Sequence, residues 1–380
     1  MGTFRFLLAL AVVLNHFEGV WGYYMMLGSM AVQSFFMISG FLIALVLSQK
    51  YDPGTADGRR LFFSNRLLRI FVPYWSVCLT IVLAHLLIFA VLGVRYGFDA
   101  ALVNYGPEMT LMTRIYLLLS NIFILTQEWA MWLTYENGAI FAVLDSDQSS
   151  PHVSAFQLVP QAWSISLELM FYALAPFLVR RHWATLLAII VVSYALRSLC
   201  YSYGFRGSGF AYRFFPFEIG LFVAGVLSYR VYAWIKRHDL VRSPILSVAV
   251  AAAFIITAAS LQYLHGLGSR TFQIMTLIAL PALFEIAQRS SLDRWLGELS
   301  YPIYLVHIAA IQTAGLLFES VRASNWFKLA TIAAVVLLCV GYVHWIDAPF
   351  ERWRQRRTTR TTRARTGTLM AGPKEPSVAL

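Results

Sequence analysis

Long apolar runs constrain this chain more than any other feature. A helix needs about 20 mainly apolar residues to cross a hydrocarbon core, and the sequence contains ten such stretches joined by short loops. Hydrophobic residues make up 59% of the chain and charged residues 13%, whereas soluble domains contain about 45–50% and about 25%. The expected fold is therefore all-α, a polytopic helix bundle integral to a membrane.

The boundaries of the spans follow the apolar runs. We predict spans at residues 4–21, 28–48, 70–93, 162–179, 184–201, 214–233, 244–264, 271–289, 299–318 and 326–346. A further apolar stretch, 114–125, is short and breaks the parity of the crossings. Residues 110–145 are therefore predicted to form a re-entrant or interfacial helical hairpin, or a pair of helices that cross and return. Residues 1–350 form the membrane domain, and 351–380 a basic, disordered tail close to anionic lipid.

Basic residues are concentrated in a few loops, and this sets the orientation. The net charge is +11, and the arginine-rich segments are 49–69, 180–182, 236–242, 288–294 and the tail. The positive-inside rule places these segments and both termini in the cytoplasm. Residues 128–161 contain no Lys or Arg and should lie outside. Because the excess charge explains topology, nucleic acid is not an expected partner.

The three cysteines, Cys78, Cys200 and Cys339, all lie inside apolar runs. They have no CxxC spacing and no neighbouring histidine cluster. Neither a disulfide nor a metal site is therefore expected.

The first predicted span carries two residues that are costly in hydrocarbon, Arg5 and His16. Eleven residues turn an α-helix through about 1100°, so the two side chains share one face about 16 Å apart. Arg5 also fits a snorkelling anchor at the cytoplasmic rim, and His16 fits a buried histidine bonded to a neighbouring helix. An ionisable residue inside a membrane is nevertheless a candidate for function by default.

Two more arginines lie at the start of the third span, in NRLLRIFVPYW. Arg66 and Arg69 are one turn apart on one face, and two guanidinium groups placed in this way can bind a phosphate or pyrophosphate. A purely topological role fits them as well. Arg5 on another helix favours function, because it can complete a basic pocket for an anionic cytoplasmic ligand.

The fourth span contains a serine and a carboxylate on one face. In QAWSISLELMFYALAP, Ser164 and Glu168 are four residues apart. Helix rise places Glu168 about 9 Å below the outer surface, at a depth close to that of His16. A carboxylate there can orient or tune an imidazole, although a structural hydrogen bond is the alternative. In the second span, Ser39 lies among small residues typical of helix packing.

The ninth span places three polar residues on one face, in GELSYPIYLVH. They are Ser300, Tyr304 and His307. His307 falls near the bilayer middle, where it is either satisfied by a carbonyl or tyrosine or part of a site. Aromatic residues in or beside the outer segment can stack on sugar faces, although interfacial anchoring is the more common role. These aromatic residues are Trp129, Trp132, Tyr135 and Trp163.

These motifs, taken in order, resemble the acyltransferase-3 family of membrane acyltransferases over residues 5–350. They run from RFLLALAVVLNH through FFMISGFLI, RLLRIFVPYW and WSISLELMFY to GELSYPIYLVH and a terminal acidic-x-Pro. The chain departs from the family pattern at this last motif, where Asp347 stands in place of the usual glutamate.

The resemblance implies an acyl-CoA-dependent O-acyltransferase with a ten-span core in the bacterial cytoplasmic membrane. Such an enzyme transfers an acyl group, usually acetyl, from cytoplasmic acyl-CoA to a hydroxyl of a glycan, a lipid-linked sugar or a hydroxylated small-molecule acceptor outside the cytoplasm. The resemblance implies that His16 is the catalytic histidine and that Arg5, Arg66 and Arg69 belong to the donor side. Glu168 corresponds to the acidic position of the Trp-Ser motif.

Acyl transfer from a thioester needs a base or nucleophile and a place for the CoA phosphates. We expect the three arginines to bind the phosphates and the pantetheine arm to reach His16. His16 then either deprotonates the acceptor hydroxyl or becomes transiently acylated, with Glu168 or a tyrosine setting its tautomer. The alternative function is a proton-coupled transporter or flippase in which His16, Glu168 and His307 form a relay. The sequence shows no repeats typical of transporters.

Overall fold

A computed structural model describes residues 1–147, 149–239, 244–264, 268–288 and 290–354. Residues 355–380 of the predicted tail, and parts of two predicted basic loops at 240–242 and 289, lie outside the described residues. The helices are α1 (Gly2–His16), α2 (Gly28–Gln49), α3 (Ala56–Leu92), α4 (Gly97–Tyr105), α5 (Leu111–Phe123), α6 (Trp163–Leu178), α7 (Trp183–Ser202), α8 (Ser208–Tyr212), α9 (Phe215–Arg237), α10 (Pro244–Ala259), α11 (Ser269–Ala287), α12 (Ser291–Leu317) and α13 (Asn325–Tyr342). Two strands, β1 (Leu133–Glu136) and β2 (Ala139–Ala142), pair antiparallel.

The predicted all-α membrane bundle is confirmed. Ten helices coincide with the ten predicted spans: α1, α2, α3, α6, α7, α9, α10, α11, α12 and α13. Within the described residues, seven helical stretches are long and apolar enough to cross a membrane, and α1, α5 and α10 are shorter apolar helices. Large apolar side chains such as Leu79, Leu83, Leu337 and Leu338 are exposed on the outside of the bundle, as expected for helices that contact lipid tails.

The segment at 110–145 differs in part from its prediction. One additional helix is present, α5, but the returning part is not helical. A 3₁₀ turn over Gln127–Trp132 leads into the β1–β2 hairpin. Asn137 and Gly138 join the two strands with φ values of 48° and 81°, the conformation of a type I′ turn, for which Asn-Gly is the strongest sequence signal. The apolar run at 114–125 is helical as predicted, and the difference is confined to the residues that follow it.

Helices α1 and α12 run side by side in the same direction, and a carboxylate fixes their register. Asp293 in the first turn of α12 accepts hydrogen bonds from the backbone N–H groups of Gly2 at 2.7 Å and Thr3 at 2.9 Å. It therefore caps the N-terminus of α1. A Cβ atom at Gly2 would lie 1.6 Å from the Asp293 carbonyl oxygen, so glycine permits this close approach. This contact places Arg5 and His16 at defined heights beside α12.

The basic loops gather at one end of the bundle, as the spans predict. Asp52 after α2 and Arg180 after α6 form an ion pair at 2.6 Å, and Lys236 of α9 pairs with Glu285 of α11 at 2.7 Å. We call this end, where α1 begins, the arginine end, and the opposite end, where α1 finishes at His16, the histidine end. The side of the membrane that each end faces remains a prediction.

Candidate active site

A cavity of about 230 Å³ lies inside the bundle, lined by residues of α1, α2, α3, α6, α12 and the helical segment after α13. Predicted site residues from five different helices line it together: Arg5, Ser39, Arg66, Arg69, Ser164, Glu168 and Tyr304. Three further predicted residues, His16, His307 and Trp163, lie outside its lining. The cavity thus brings together residues that the sequence separates by up to 299 positions, from Arg5 to Tyr304.

Three arginines surround the arginine end of the cavity. Arg5 and Arg66 are half-buried and Arg69 is exposed. The Arg66 guanidinium lies over the ring of Tyr172, 5.8 Å from its centroid. Within the described residues, none of the three guanidinium groups donates a hydrogen bond or forms an ion pair. By contrast, Arg354 at the same end donates to Glu351 through Nε and Nη2 of its guanidinium group. Three cations without protein acceptors on one cavity form a ready site for an anion.

Glu168 faces this arginine cluster and does not touch the His16 imidazole. Its carboxylate accepts a hydrogen bond from Ser39 Oγ at 2.6 Å and another from the Tyr172 hydroxyl. The carboxylate also lies within electrostatic range of Arg5. The similar depths predicted for Glu168 and His16 therefore do not correspond to a contact between them. Tyr172 was not singled out from the sequence, although its spacing of four from Glu168 places both on one helix face.

Ser164 and Tyr304 form the part of the cavity nearest the histidine end. Their hydroxyl oxygens are 2.7 Å apart, and the Tyr304 hydroxyl donates to the Gln161 carbonyl at 3.0 Å. The Gln161 side-chain amide in turn donates to the carbonyl of Leu305 at 2.6 Å. These bonds tie the start of α6 to the middle of α12. Tyr304 is thereby held in one orientation at the end of the cavity.

A pair of histidines lies immediately beyond Tyr304. The His307 imidazole is completely buried, and its Nδ1 lies 2.8 Å from the Tyr304 carbonyl oxygen. The rings of His16 and His307 have centroids 5.0 Å apart. His16 ends α1 and is exposed at the histidine end. An extended ligand that lies in the cavity from the arginines to Tyr304 therefore ends beside two imidazoles. Of these, the His16 imidazole is exposed.

The aromatic residues in or beside the segment at 128–161 have different environments. Trp129 is 52% exposed, whereas Trp132 and Tyr135 pack within aromatic clusters. One face of Trp163 is covered by the guanidinium of Arg213, 4.7 Å from a ring centroid. Arg213 lies within electrostatic range of His16. The sequence did not single out Arg213, because it stands in a short connection without periodicity or motif.

Comparison with known proteins identifies relatives of the whole bundle. A family model described as an acyltransferase domain matches residues 2–345. The chain is also similar to Nodulation protein 10 of Rhizobium leguminosarum bv. viciae, with 25% identity over 312 residues, which cover 78% of this chain and 75% of that protein. The comparison with solved structures found no match. The range matched by the family model includes every residue predicted for the site.

Proposed function

Because the chain belongs to the acyltransferase-3 family and is a membrane acyltransferase, we propose that it transfers an acetyl group from acetyl-CoA to a hydroxyl of a glycan or a similar hydroxylated acceptor. The cavity is the observation that carries this proposal. It links three arginines without protein acceptors to Tyr304, which adjoins the histidine pair.

The chemistry of CoA fits the two parts of the cavity. Its phosphates are anionic and pair with guanidinium groups bidentately, so we assign them to Arg5, Arg66 and Arg69. The uncharged pantetheine arm then extends along apolar side chains of α2, including Phe35, Phe36 and Leu42. Arg5 and His16 are separated by about 16 Å along α1. An arm held at the arginines thus presents its thioester near the histidine pair.

His16 is the proposed base. The acceptor hydroxyl attacks the thioester carbonyl while its proton passes to the imidazole; the carbon–sulfur bond then breaks and the CoA thiolate takes up that proton. Transient acylation of His16 gives the same products in two steps. The positive charge of Arg213, within electrostatic range of His16 and Tyr304, favours the oxyanion that forms on the carbonyl.

The positions of the two ends support a proposal for the side of the membrane from which each substrate binds. The acyl-CoA binds from the arginine end, which we assign to the cytoplasm because the basic loops gather there. The acceptor reaches His16 from the exposed histidine end. The acyl group, rather than the acceptor, crosses the membrane.

The test uses purified protein in lipid nanodiscs with radiolabelled acetyl-CoA and a hydroxylated glycan acceptor. The wild type should release the CoA thiol and form a labelled ester. His16→Ala should do neither, although it binds acetyl-CoA and is present at normal membrane levels. Substrate movement across vesicles without release of CoA would support the transporter instead. Equal transfer by His16→Ala and the wild type would refute the assignment of the base.

A further inference from the structure

The hydrogen-bonding state of His307 follows from its surroundings. Its Nδ1 lies 2.8 Å from the backbone oxygen of Tyr304, and a carbonyl oxygen only accepts hydrogen bonds. Nδ1 therefore carries the proton. The ring is completely buried, and no carboxylate is hydrogen-bonded to it in the described residues, so the neutral form is favoured. In a neutral imidazole protonated at Nδ1, Nε2 is an acceptor with a free lone pair.

That acceptor has no partner among the residues that the structure describes. Nε2 of His307 is buried without a hydrogen bond, and a buried polar atom in this state costs free energy. The hydroxyl of Tyr304, the other polar group beside the ring, already bonds to Ser164 and Gln161. The imidazole of His16, with its centroid 5.0 Å away, is a neighbouring ring that can supply a donor.

The two imidazoles can supply a donor and an acceptor to each other. Within the described residues the His16 side chain makes no hydrogen bond, and an imidazole always carries at least one N–H. A centroid separation of 5.0 Å leaves room for an N–H···N bond of about 2.9 Å after a small rotation of either ring. His16 can thus supply the donor that His307 lacks.

We propose that His307 is a positioning residue that holds His16 in one tautomer by accepting its inner N–H at Nε2. The inference rests on the proposed function, in which His16 is the base. The outer nitrogen of His16 then keeps its lone pair and faces the acceptor. When it takes the proton of the acceptor hydroxyl, the imidazolium that forms is stabilised by the neutral ring behind it. This arrangement of a base oriented by a buried third group is general in acyl transfer.

Kinetics of variants test the positioning role. His307→Ala removes the acceptor, so kcat for acetyl transfer should fall about 100-fold, whereas the KM for acetyl-CoA should not change because the arginines are intact. His307→Gln can place an amide oxygen near the position of Nε2 and should recover at least tenfold of the loss. A similar kcat in His307→Ala and the wild type would overturn the proposal. A loss of kcat in His307→Gln as large as that in His307→Ala would also overturn it.

A matched control separates positioning from packing. Within the described residues, His85 is also a buried histidine with an unpartnered nitrogen, but its ring stacks on that of Tyr96, with 4.1 Å between the ring centroids. His85→Ala should therefore leave kcat unchanged at temperatures below its unfolding transition. A loss of kcat in His85→Ala as large as in His307→Ala would mean that removal of any buried histidine disturbs the site, and would count against the proposal.

A second measurement does not depend on activity. In ¹⁵N-histidine NMR spectra of the protein in nanodiscs, the His16 signals are identified by their loss in His16→Gln. The wild type should show one tautomer for His16, and His307→Gln should keep it, whereas His307→Ala should give a mixture of both. The same mixture in the wild type would overturn the proposal even if transfer occurs. If the wild type transfers no acetyl group at all, the proposed function fails separately while the NMR result still decides the positioning.

Discussion

Arg66→Met isolates the contribution of one guanidinium group to donor binding. Arg66 has no hydrogen-bonding partner in the described part of the chain, and its guanidinium lies over Phe62 and Tyr172 at 5.9 and 5.8 Å. Methionine retains an unbranched apolar side chain between these rings. Removal of the charge leaves no carboxylate unpaired and relieves repulsion with Arg69. The substitution should therefore not destabilise the fold.

The loss should appear in the affinity for acetyl-CoA. A hydrogen bond to a charged group contributes about 1.5–3 kcal/mol, which corresponds to a roughly 10- to 100-fold increase in Kd. Isothermal titration calorimetry of the protein in nanodiscs measures this Kd directly, and the KM in the transfer assay should rise in parallel while kcat stays nearly constant.

Two comparisons make the Arg66 prediction specific. Arg59→Met removes the same charge from the same helix, but Arg59 does not line the cavity, and its guanidinium donates to the Pro53 carbonyl at 2.9 Å. The Kd of Arg59→Met for acetyl-CoA should therefore match that of the wild type. An acetyl thioester of N-acetylcysteamine has no phosphates, so Arg66→Met should use it as well as the wild type does. The reasoning is refuted if Arg66→Met loses the same factor with both donors, or if Arg59→Met loses as much as Arg66→Met.

Three further predictions concern carboxylate side chains. Glu168→Gln removes a negative charge that faces the arginines; we expect the KM for acetyl-CoA to fall about fivefold, equivalent to about 1 kcal/mol, and a complete loss of transfer with unchanged KM would instead indicate a direct catalytic role. Within the part of the chain that the structure describes, both carboxylate oxygens of Glu128, in the 3₁₀ turn before β1, are buried without a hydrogen bond, and burial raises the pKa of this group. Because its folded-state pKa lies above the unfolded-state pKa, Glu128 lowers the stability of the fold increasingly as the pH rises between these two pKa values. Glu128→Gln should therefore raise the Tm more at pH 8 than at pH 4.5. An equal gain in Tm at the two pH values would contradict this prediction. Asp293→Ala removes the cap of α1 and should cost about 1–2 kcal/mol, seen as a lower Tm in thermal unfolding, whereas the exposed Arg294→Ala should have no effect.

The sequence predicts the ten spans well because a membrane helix is a local property. Length and hydropathy decide it, whatever its neighbours are. The hairpin at Asn137 and Gly138 was not predicted, because hydropathy does not detect two strands of four residues each and the two-residue turn is their main signal.

Seven of the ten predicted site residues line one cavity, but the contacts that they make were harder to predict. Arg66 and Arg69 share a face by their spacing, and Arg5 joins them only because Asp293 fixes α1 beside α12. Helix rise gives the depth of a residue but not the direction in which its helix faces. For this reason the depth predicted for Glu168 did not identify its partners, which are Ser39 and Tyr172 rather than an imidazole.

His307 illustrates the limit of spacing most clearly. The sequence left open whether a carbonyl satisfies this histidine or whether it belongs to a site. In the structure one nitrogen lies beside the Tyr304 carbonyl oxygen, and the other has no hydrogen-bond partner within the described residues, with the His16 ring nearby. The carbonyl contact is therefore observed, and the role of His307 in the site stays a prediction. Two ring nitrogens allow one residue to have a structural and a functional contact at once.

The central claim is that the acyl group passes through the protein from the arginine end to the histidine end. Proteoliposomes of one orientation, verified by protease removal of a tag placed before Gly2, allow acetyl-CoA to be added only on the side of the arginine end and the acceptor to be enclosed on the other side. We predict labelled ester inside the vesicles, an equal amount of CoA thiol outside, and neither product with His16→Ala. Formation of the ester only when acetyl-CoA and the acceptor are on the same side would contradict the account.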